Sequence, residues 1–169
     1  YGANVYGYAL KPKDESIYNI LNVKQGIHQT IDDIRNIDSL STAIKKANPE
    51  IVFHLAAQAI VKDSYEDPHK TFETNVMGSV NILQSIRNSE TIKSLVFITS
   101  DKCYENKEWV WGYRENDRLG GKDPYSASKA AAELIFNSYL KSFFEMRNGL
   151  NIASTRAGNV IGGGDFASD

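Results

Sequence analysis

Apolar positions in this chain fall into short runs separated by longer stretches with helical spacing. Val5 to Leu10 reads as a strand, and Lys11-Pro12 ends it because proline cannot continue a central strand. Pro12 to Gln25 is polar with scattered aromatics, a loop with room for one helical turn, and Gly26 to Ile31 fits a further short strand. Asp38 is placed to cap a helix through Ala47, in which Leu40, Ala43, Ile44 and Ala47 recur at three- and four-residue steps before Asn48-Pro49 stops it. Ile51 to Leu55 is a continuous apolar run, the pattern of a parallel strand covered on both faces. Asp67-Pro68 opens a helix to about Arg87 with Phe72, Val76, Val80 and Leu83 along one face and Gly78 allowing close approach. Leu95 to Ile98 is the next strand. Asp123-Pro124 starts a second long helix that carries Leu134, Ile135, Tyr139 and Phe143, with Asn148-Gly149 as its stop, and Asn151 to Arg156 is the last strand. Strand and helix alternate at crossover lengths, so the fold class is α/β, a doubly wound parallel sheet with helices on both faces.

Composition narrows this reading. A chain of 169 residues, 41% hydrophobic and 24% charged, has the length for one domain with a real core. The net charge is -2 and the charges are dispersed, so no basic face points to nucleic acid. One cysteine, Cys103, rules out an intrachain disulfide framework and reads as a small buried hydrophobe. Three scattered histidines show no ligand spacing, so no metal site is expected. There is no run of membrane-spanning length and no signal-peptide pattern, and a cytoplasmic location is the expectation. The chain opens at Tyr1 in mid-fold and is read as an internal fragment.

The candidate chemistry lies between Val96 and Lys129. The Leu95 strand breaks at once into Thr99, Ser100, Asp101 and Lys102, followed by Tyr104, and open α/β sheets bind ligands at the C-terminal ends of their strands. Tyr125 and Lys129 are four apart and share a helical face. A tyrosine becomes a base near neutral pH only if its phenolate is stabilised. A lowering of about three units needs roughly 4 kcal/mol, to be supplied by the Lys129 ammonium and a cationic cofactor ring. An ordinary surface Tyr-Lys pair has the same spacing. Ser100 is placed to hydrogen-bond a substrate hydroxyl. Ala56, Ala57 and Gln58, after the Ile51 strand, are residues where a cofactor can approach the backbone, while His54 reads as a core histidine. The glycine-rich loop from Ala157 through Gly164 and Asp165 follows a strand, but its spacing is wrong for a dinucleotide fingerprint.

Ser100, Tyr125 and Lys129, with Asn75 on the preceding helix, resemble the catalytic set of the short-chain dehydrogenase/reductase superfamily in its extended nucleotide-sugar branch. Four stretches narrow this to a resemblance to the CDP-glucose 4,6-dehydratase family: Thr99 to Tyr104, Trp111 to Glu115, Asp123 to Ser126, and Arg156 to Asp165. The adjacent Asp101 and Lys102 are its most informative part, since related dTDP-glucose and GDP-mannose dehydratases carry Asp-Glu there. The resemblance implies a partial Rossmann-like NAD-binding domain over 1–169, with the first strand, its Gly-rich loop and a C-terminal substrate domain missing, and with 157–169 opening a substrate-side loop. It implies a catalytic set of Ser100, Asp101, Lys102, Tyr125 and Lys129. Asp33, Ile34, Leu55, Ala56, Ala57, Gln58 and Asn75, with Tyr125 and Lys129, would hold NAD, Asp33 and Ile34 at the adenine ring and Asn75 through a water to Lys129. Ser100, Tyr104 and Asn159 would meet the nucleotide sugar, CDP-glucose.

In that chemistry Tyr125 and Ser100 serve the sugar's carbon 4, Asp101 protonates the hydroxyl leaving carbon 6, and Lys102 removes or relays the carbon 5 proton, for which burial or nearby cations must keep it neutral. A Lys102 that only positions Asp101 is the alternative. The Ala9-Leu10-Lys11 run lacks the usual acid for the adenosine ribose, so NAD over NADP rests on the family alone. Homo-oligomerisation through the helices of Asn75 and Tyr125 is also implied. An epimerase or reductase, or a non-catalytic nucleotide-binding module, stays open. The 169 residues alone are expected to be inactive and to bind NAD weakly at best.

Overall fold

The computed structural model describes residues 2–163; Tyr1, Gly164 and Asp165, with the rest of the expected loop to Asp169, lie outside the described residues. The elements run β1 (Tyr6–Ala9), α1 (Ile17–Ile20), β2 (His28–Ile31), α2 (Ile37–Ala47), β3 (Ile51–His54), α3 (Val61–Glu66), α4 (Pro68–Phe72), α5 (Gly78–Arg87), β4 (Ser94–Ser100), α6 (Pro124–Tyr139) and β5 (Asn151–Ala157). π turns at Glu73–Met77 and Leu140–Phe144 join α4 to α5 and extend α6. Every strand pairing among the described residues is parallel, as the alternation predicts. They form two sheets, β1-β2 and β3-β4-β5, rather than one continuous sheet.

Capping follows the sequence signals with one exception. Asp67 accepts the Lys70 amide and Asp123 the Ser126 amide, each at 2.9 Å with proline in the first turn. In α2 the cap is Asn36, whose Oδ1 accepts the Ser39 amide at 3.1 Å; Asp38 lies inside the first turn, where a carboxylate favours the helix dipole. Asn48 takes the left-handed conformation at the other end, φ 47°.

The core joins Leu40 of α2, Ile82, Leu83 and Ile86 of α5, Leu95 and Phe97 of β4, and Ala132 and Phe136 of α6. The Phe97 and Phe136 rings lie 5.2 Å apart. Two expectations about burial need correction. On β3, Val52 is half-buried and His54 buried, but Ile51 and Phe53 are 57% and 62% exposed. Successive side chains of a strand point to opposite faces, and among the described residues nothing covers the second face of β3.

The inner stripe of α4 and α5 is also shifted. Thr71, Asn75, Gly78, Ser79, Ile82 and Ile86 are buried, whereas Phe72 is 39% exposed. Polar residues can occupy this stripe because each has a partner: Thr71 Oγ1 donates to the Asp67 carbonyl at 3.0 Å and Ser79 Oγ to that of Asn75 at 2.5 Å. Gly78 is where α5 meets Ile34, since an added Cβ would fall 2.8 Å from Ile34 Cγ2. Leu83→Ala should therefore cost about 2–5 kcal/mol and Phe72→Ala about 1 kcal/mol or less, both read from urea denaturation of the whole protein. Equal losses would contradict this arrangement of the stripe.

Candidate active site

β4 delivers Ser100 to its C-terminal end, and Asp101–Cys103 turns tightly away from the sheet. The Ser100 hydroxyl caps that turn, accepting the Lys102 amide at 3.2 Å, and it donates to Asp101 Oδ1 at 3.1 Å. Tyr125 enters from the first turn of α6, buried, and its phenol is near enough to the Ser100 hydroxyl for that group to favour the phenolate. One serine thus lies beside both the phenol and the carboxylate. Lys129, buried one helical turn on, holds its Nζ 5.8 Å from the Tyr125 ring centre. Gly121 lets the incoming loop lie against this first turn, as a Cβ there would fall 2.3 Å from the backbone of Ser126 and Ala127.

In the chain by itself, burial sets the protonation of both Tyr125 and Lys129. Burial raises the Tyr125 phenol above its ordinary value of 10.0, with Asp101 and Asp123 adding to the rise and Ser100 opposing it. Burial also lowers the Lys129 amine. Taking either group out of water disfavours its charged form. Lys102 is exposed, so the burial that a neutral amine calls for is not present among the described residues. Cys103 is fully buried, its thiol pushed up to about 11 mainly by burial, in keeping with the inert reading. His54 is buried against Phe97, at 4.7 Å between rings, as a core histidine.

Asn75 sits in the π turn and makes a two-way clamp. Its Oδ1 accepts the Gln58 amide at 2.7 Å, and its Nδ2 donates to the Gln58 carbonyl at 3.0 Å and to Ser128 Oγ at 2.8 Å. Ser128 in turn donates to the Tyr125 carbonyl at 2.6 Å. Both Asn75 amide protons are therefore used, one on the loop after β3 and one on α6. Ala56 and Ala57 are half-buried on that loop, while Leu55 is 66% exposed.

Asp33 and Ile34 lie at the end of β2, away from the serine. The Asp33 carboxylate accepts from Arg35 Nε at 3.0 Å and is held below the ordinary carboxylate range chiefly by those Arg35 hydrogen bonds. Arg35 also pairs with Glu73 at 2.8 Å. Ile34 is a core residue, and its carbonyl accepts Asn81 Nδ2 at 3.0 Å. Asn159 is exposed, just after Gly158, where an added Cβ would lie 3.9 Å from Asp101 Oδ2.

Three residues that the sequence reading passed over are central here: Ser128, Glu133 and Arg156. Glu133 has no exposure; its Oε1 accepts from Thr99 Oγ1 at 2.5 Å, and its Oε2 from Ser154 Oγ at 3.2 Å and Arg156 at 2.8 Å. Arg156 extends to Tyr104 Oη at 2.9 Å and the Glu115 carbonyl at 2.8 Å. Burial pulls its guanidinium down, and the hydrogen bonds to Glu133 and Tyr104 more than offset that. Tyr104 stacks on Tyr113 at 5.0 Å, and these residues with Asp101 line a cavity of about 550 Å³. The available signal was positional, since Tyr125, Lys129 and Glu133 follow at i, i+4 and i+8.

With this geometry in place, the similarity to known proteins is informative. The family model described as GDP-mannose 4,6 dehydratase matches residues 2–161. CDP-glucose 4,6-dehydratase of Salmonella typhimurium is 51% identical over 173 aligned positions, covering 99% of this chain and 48% of that protein. CDP-paratose 2-epimerase of Salmonella typhi is 30% identical, covering 80% of this chain and 43% of its own length. The fold matches a dTDP-glucose 4,6-dehydratase from Streptomyces venezuelae, solved with NAD and TYD bound, with a TM-score of 0.77 at 23% identity, over 90% of this chain and 45% of that one. The chain spans about half the length of the curated relatives it matches. No helix among the described residues is long and apolar enough to cross a membrane.

The buried histidine gives a pH test. Burial, with Lys129 nearby, lowers His54 from 6.5 to about 4. The unfolded chain takes up a proton near 6.5 that the folded chain refuses until about 4, so stability is unaffected above 6.5 and declines as pH falls through that window. The decline is on the order of 3 kcal/mol. Urea midpoints of the whole protein against pH should show it, and His54→Phe should flatten the slope there.

Proposed function

We propose, on the premise that this chain belongs to the GDP-mannose 4,6 dehydratase family, that the whole protein removes water from a nucleotide-bound hexose by internal oxidation and reduction. We take the substrate to be CDP-glucose, from the 51% identity along 99% of the chain, and the cofactor to be NAD. The observation that carries the reading is Ser100, whose hydroxyl donates to Asp101 and lies near enough to Tyr125 to favour its phenolate. An alcohol oxidation needs a base at one carbon and an elimination needs an acid two carbons on, and the closeness of Tyr125 and Asp101 to this serine supports assigning them those two roles.

The chain's residues fit a dinucleotide. Lys129 is a buried amine with no acid partner among the described residues, suited to ligand hydroxyls, and Ala56 and Ala57 leave the loop after β3 open to close approach. NAD, when bound, would supply positive charge beside Tyr125 and would take hydride from sugar carbon 4 and return it to carbon 6.

Tyr125 then accepts the carbon 4 hydroxyl proton, with Lys129 stabilising the phenolate and Ser100 orienting the oxygen. The ketone acidifies the carbon 5 proton, which Lys102 removes or relays. Asp101 protonates the departing carbon 6 hydroxyl, so one water leaves. A proton returns to carbon 5 as hydride reaches carbon 6, so the cofactor ends as it began. Tyr104 and Asn159 are assigned to the substrate side, and Asp33, Ile34, Leu55, Gln58 and Asn75 to the cofactor side. A cytoplasmic homo-oligomer meeting through the helices of Asn75 and Tyr125 completes the reading.

The similarity to an epimerase favours one second reading, in which the site oxidises and re-reduces the sugar without losing water. The test is to incubate the whole protein with NAD and CDP-glucose and to follow the sugar nucleotide by mass spectrometry. The expected product is lighter by one water with no net reduced cofactor. Tyr125→Phe should lower the rate by about 100-fold or more, and Asp101→Asn should halt the elimination. Isomerisation without water loss, with Asp101→Asn still active, would select the epimerase.

A further inference from the structure

The residues that are to act at carbons 5 and 6 stand on the turn Ser100 to Cys103, which packs against α6 and is anchored at its end by the buried Cys103. Asp101 and Lys102 are both exposed. Packing through Cys103 holds the turn itself, and the direction of the two exposed side chains relative to Tyr125 depends on how the residues on either side of it are tied.

Glu133 ties them from both ends. It lies on α6, two helical turns beyond Tyr125, and it has no contact with solvent. At the near end its Oε1 accepts the hydroxyl of Thr99, the residue before Ser100. At the far end its Oε2 takes Arg156, whose NH1 donates to the hydroxyl of Tyr104, the residue after Cys103. The guanidinium carbon also lies 4.9 Å from the Tyr104 ring centre. One carboxylate on the helix that carries the base is thereby tied to the residues bracketing the acid.

Resting on the proposed dehydration, we infer that Glu133 is a positioning residue for the acid-bearing turn, acting through Thr99 on one side and Arg156 on the other. It touches neither substrate nor cofactor. Its charge matters because Arg156 needs a full negative partner where it is buried, and its length matters because the Thr99 and Arg156 bonds diverge from two oxygens of one group. Such a role concerns the elimination and leaves the Tyr125 step alone.

Glu133→Gln in the whole protein, with Thr99→Val as a second variant that leaves the ion pair intact, tests this. With NAD and CDP-glucose, rapid-mixing absorbance at 340 nm follows bound reduced cofactor. Both variants are expected to build up reduced cofactor at the wild-type rate and to release dehydrated product about tenfold more slowly or worse, as slower elimination traps the oxidised sugar. A purely structural role would lower thermal stability and the amount of active enzyme while leaving the ratio of the two rates unchanged, and that result overturns the inference.

Amide hydrogen exchange gives a readout independent of turnover. Faster exchange over 100–104 with 124–139 unchanged is expected in both variants, and unchanged or uniformly raised exchange overturns the assignment. A wild-type protein that does not dehydrate CDP-glucose would remove the dehydration reading, while the exchange pattern would still decide whether Glu133 holds the turn. If Glu133→Gln does not fold, Thr99→Val carries both measurements.

Discussion

A carboxylate with no access to water sits where three elements meet, and the geometry of the site depends on it. Glu133 projects from α6 between the ends of β4 and β5 and takes hydrogen bonds from Thr99, Ser154 and Arg156. A buried ion pair is a poor stabiliser, because stripping two charges of water cancels much of their attraction, whereas removing one partner alone costs about 3–5 kcal/mol. A well-packed apolar side chain would serve the core at least as well. What the pair provides is direction: two carboxylate oxygens and a guanidinium fork permit one arrangement of β4, β5 and α6, where a leucine would permit several.

The same logic governs the other buried polar groups. The clamp of Asn75 on both backbone groups of Gln58 fixes the loop after β3, and its third bond reaches Ser128 and so the backbone of Tyr125. Two separate polar chains therefore run into α6, one from the proposed cofactor side and one from the proposed substrate side. Between them α6 is referenced to the loop after β3 and to the turn after β4. The apolar core of Phe97, Phe136, Leu83 and Ile86 lies below and supplies the cohesion. Cohesion and alignment are carried by different residues.

This division explains how much the sequence revealed. Strands, long helices and the caps at Asp67 and Asp123 follow from local chemistry, and the structure has them within a few residues, α6 with its π turn ending at Phe144 before the expected stop at Asn148-Gly149. That Tyr125 and Lys129 share a face of α6 and that Ser100 ends β4 was legible because spacing and strand-end position are themselves sequence patterns. The inner stripe of α4 and α5 could not, because Thr71, Asn75 and Ser79 are inside only by virtue of partners far along the chain, and hydrophobicity places Phe72 there instead. Glu133 and Arg156 were hidden for the same reason. A charged residue on a helix is ordinarily read as surface, and only the tertiary contact across 23 residues shows otherwise. The exposed face of β3 failed differently, since an apolar run states a preference for cover without stating what covers it.

The proton levels at Tyr125 and Lys129 bear on when the base becomes active. Burial moves both groups toward their neutral forms, the phenol upward and the amine downward. A phenolate-ammonium pair is therefore less favourable in the bare site than the spacing alone suggests. Asp101 and Asp123 add to the resistance, as each places negative charge near the same phenol. Under the proposed chemistry this has a useful sense, because a base that ionised unaided would carry its charge whether or not anything was bound to receive a hydride. A positive ring beside Tyr125 acts on the phenolate in the same low-dielectric surroundings that hold it neutral, so the environment that suppresses ionisation also strengthens the one interaction able to restore it. The Ser100 hydroxyl, already opposing the rise, can turn its one proton from Asp101 to the phenolate as the phenol ionises. In that proposed chemistry burial would couple the ionisation of Tyr125 to occupancy of the site, with the polar ties from Asn75 and Glu133 into α6 fixing where Tyr125 stands.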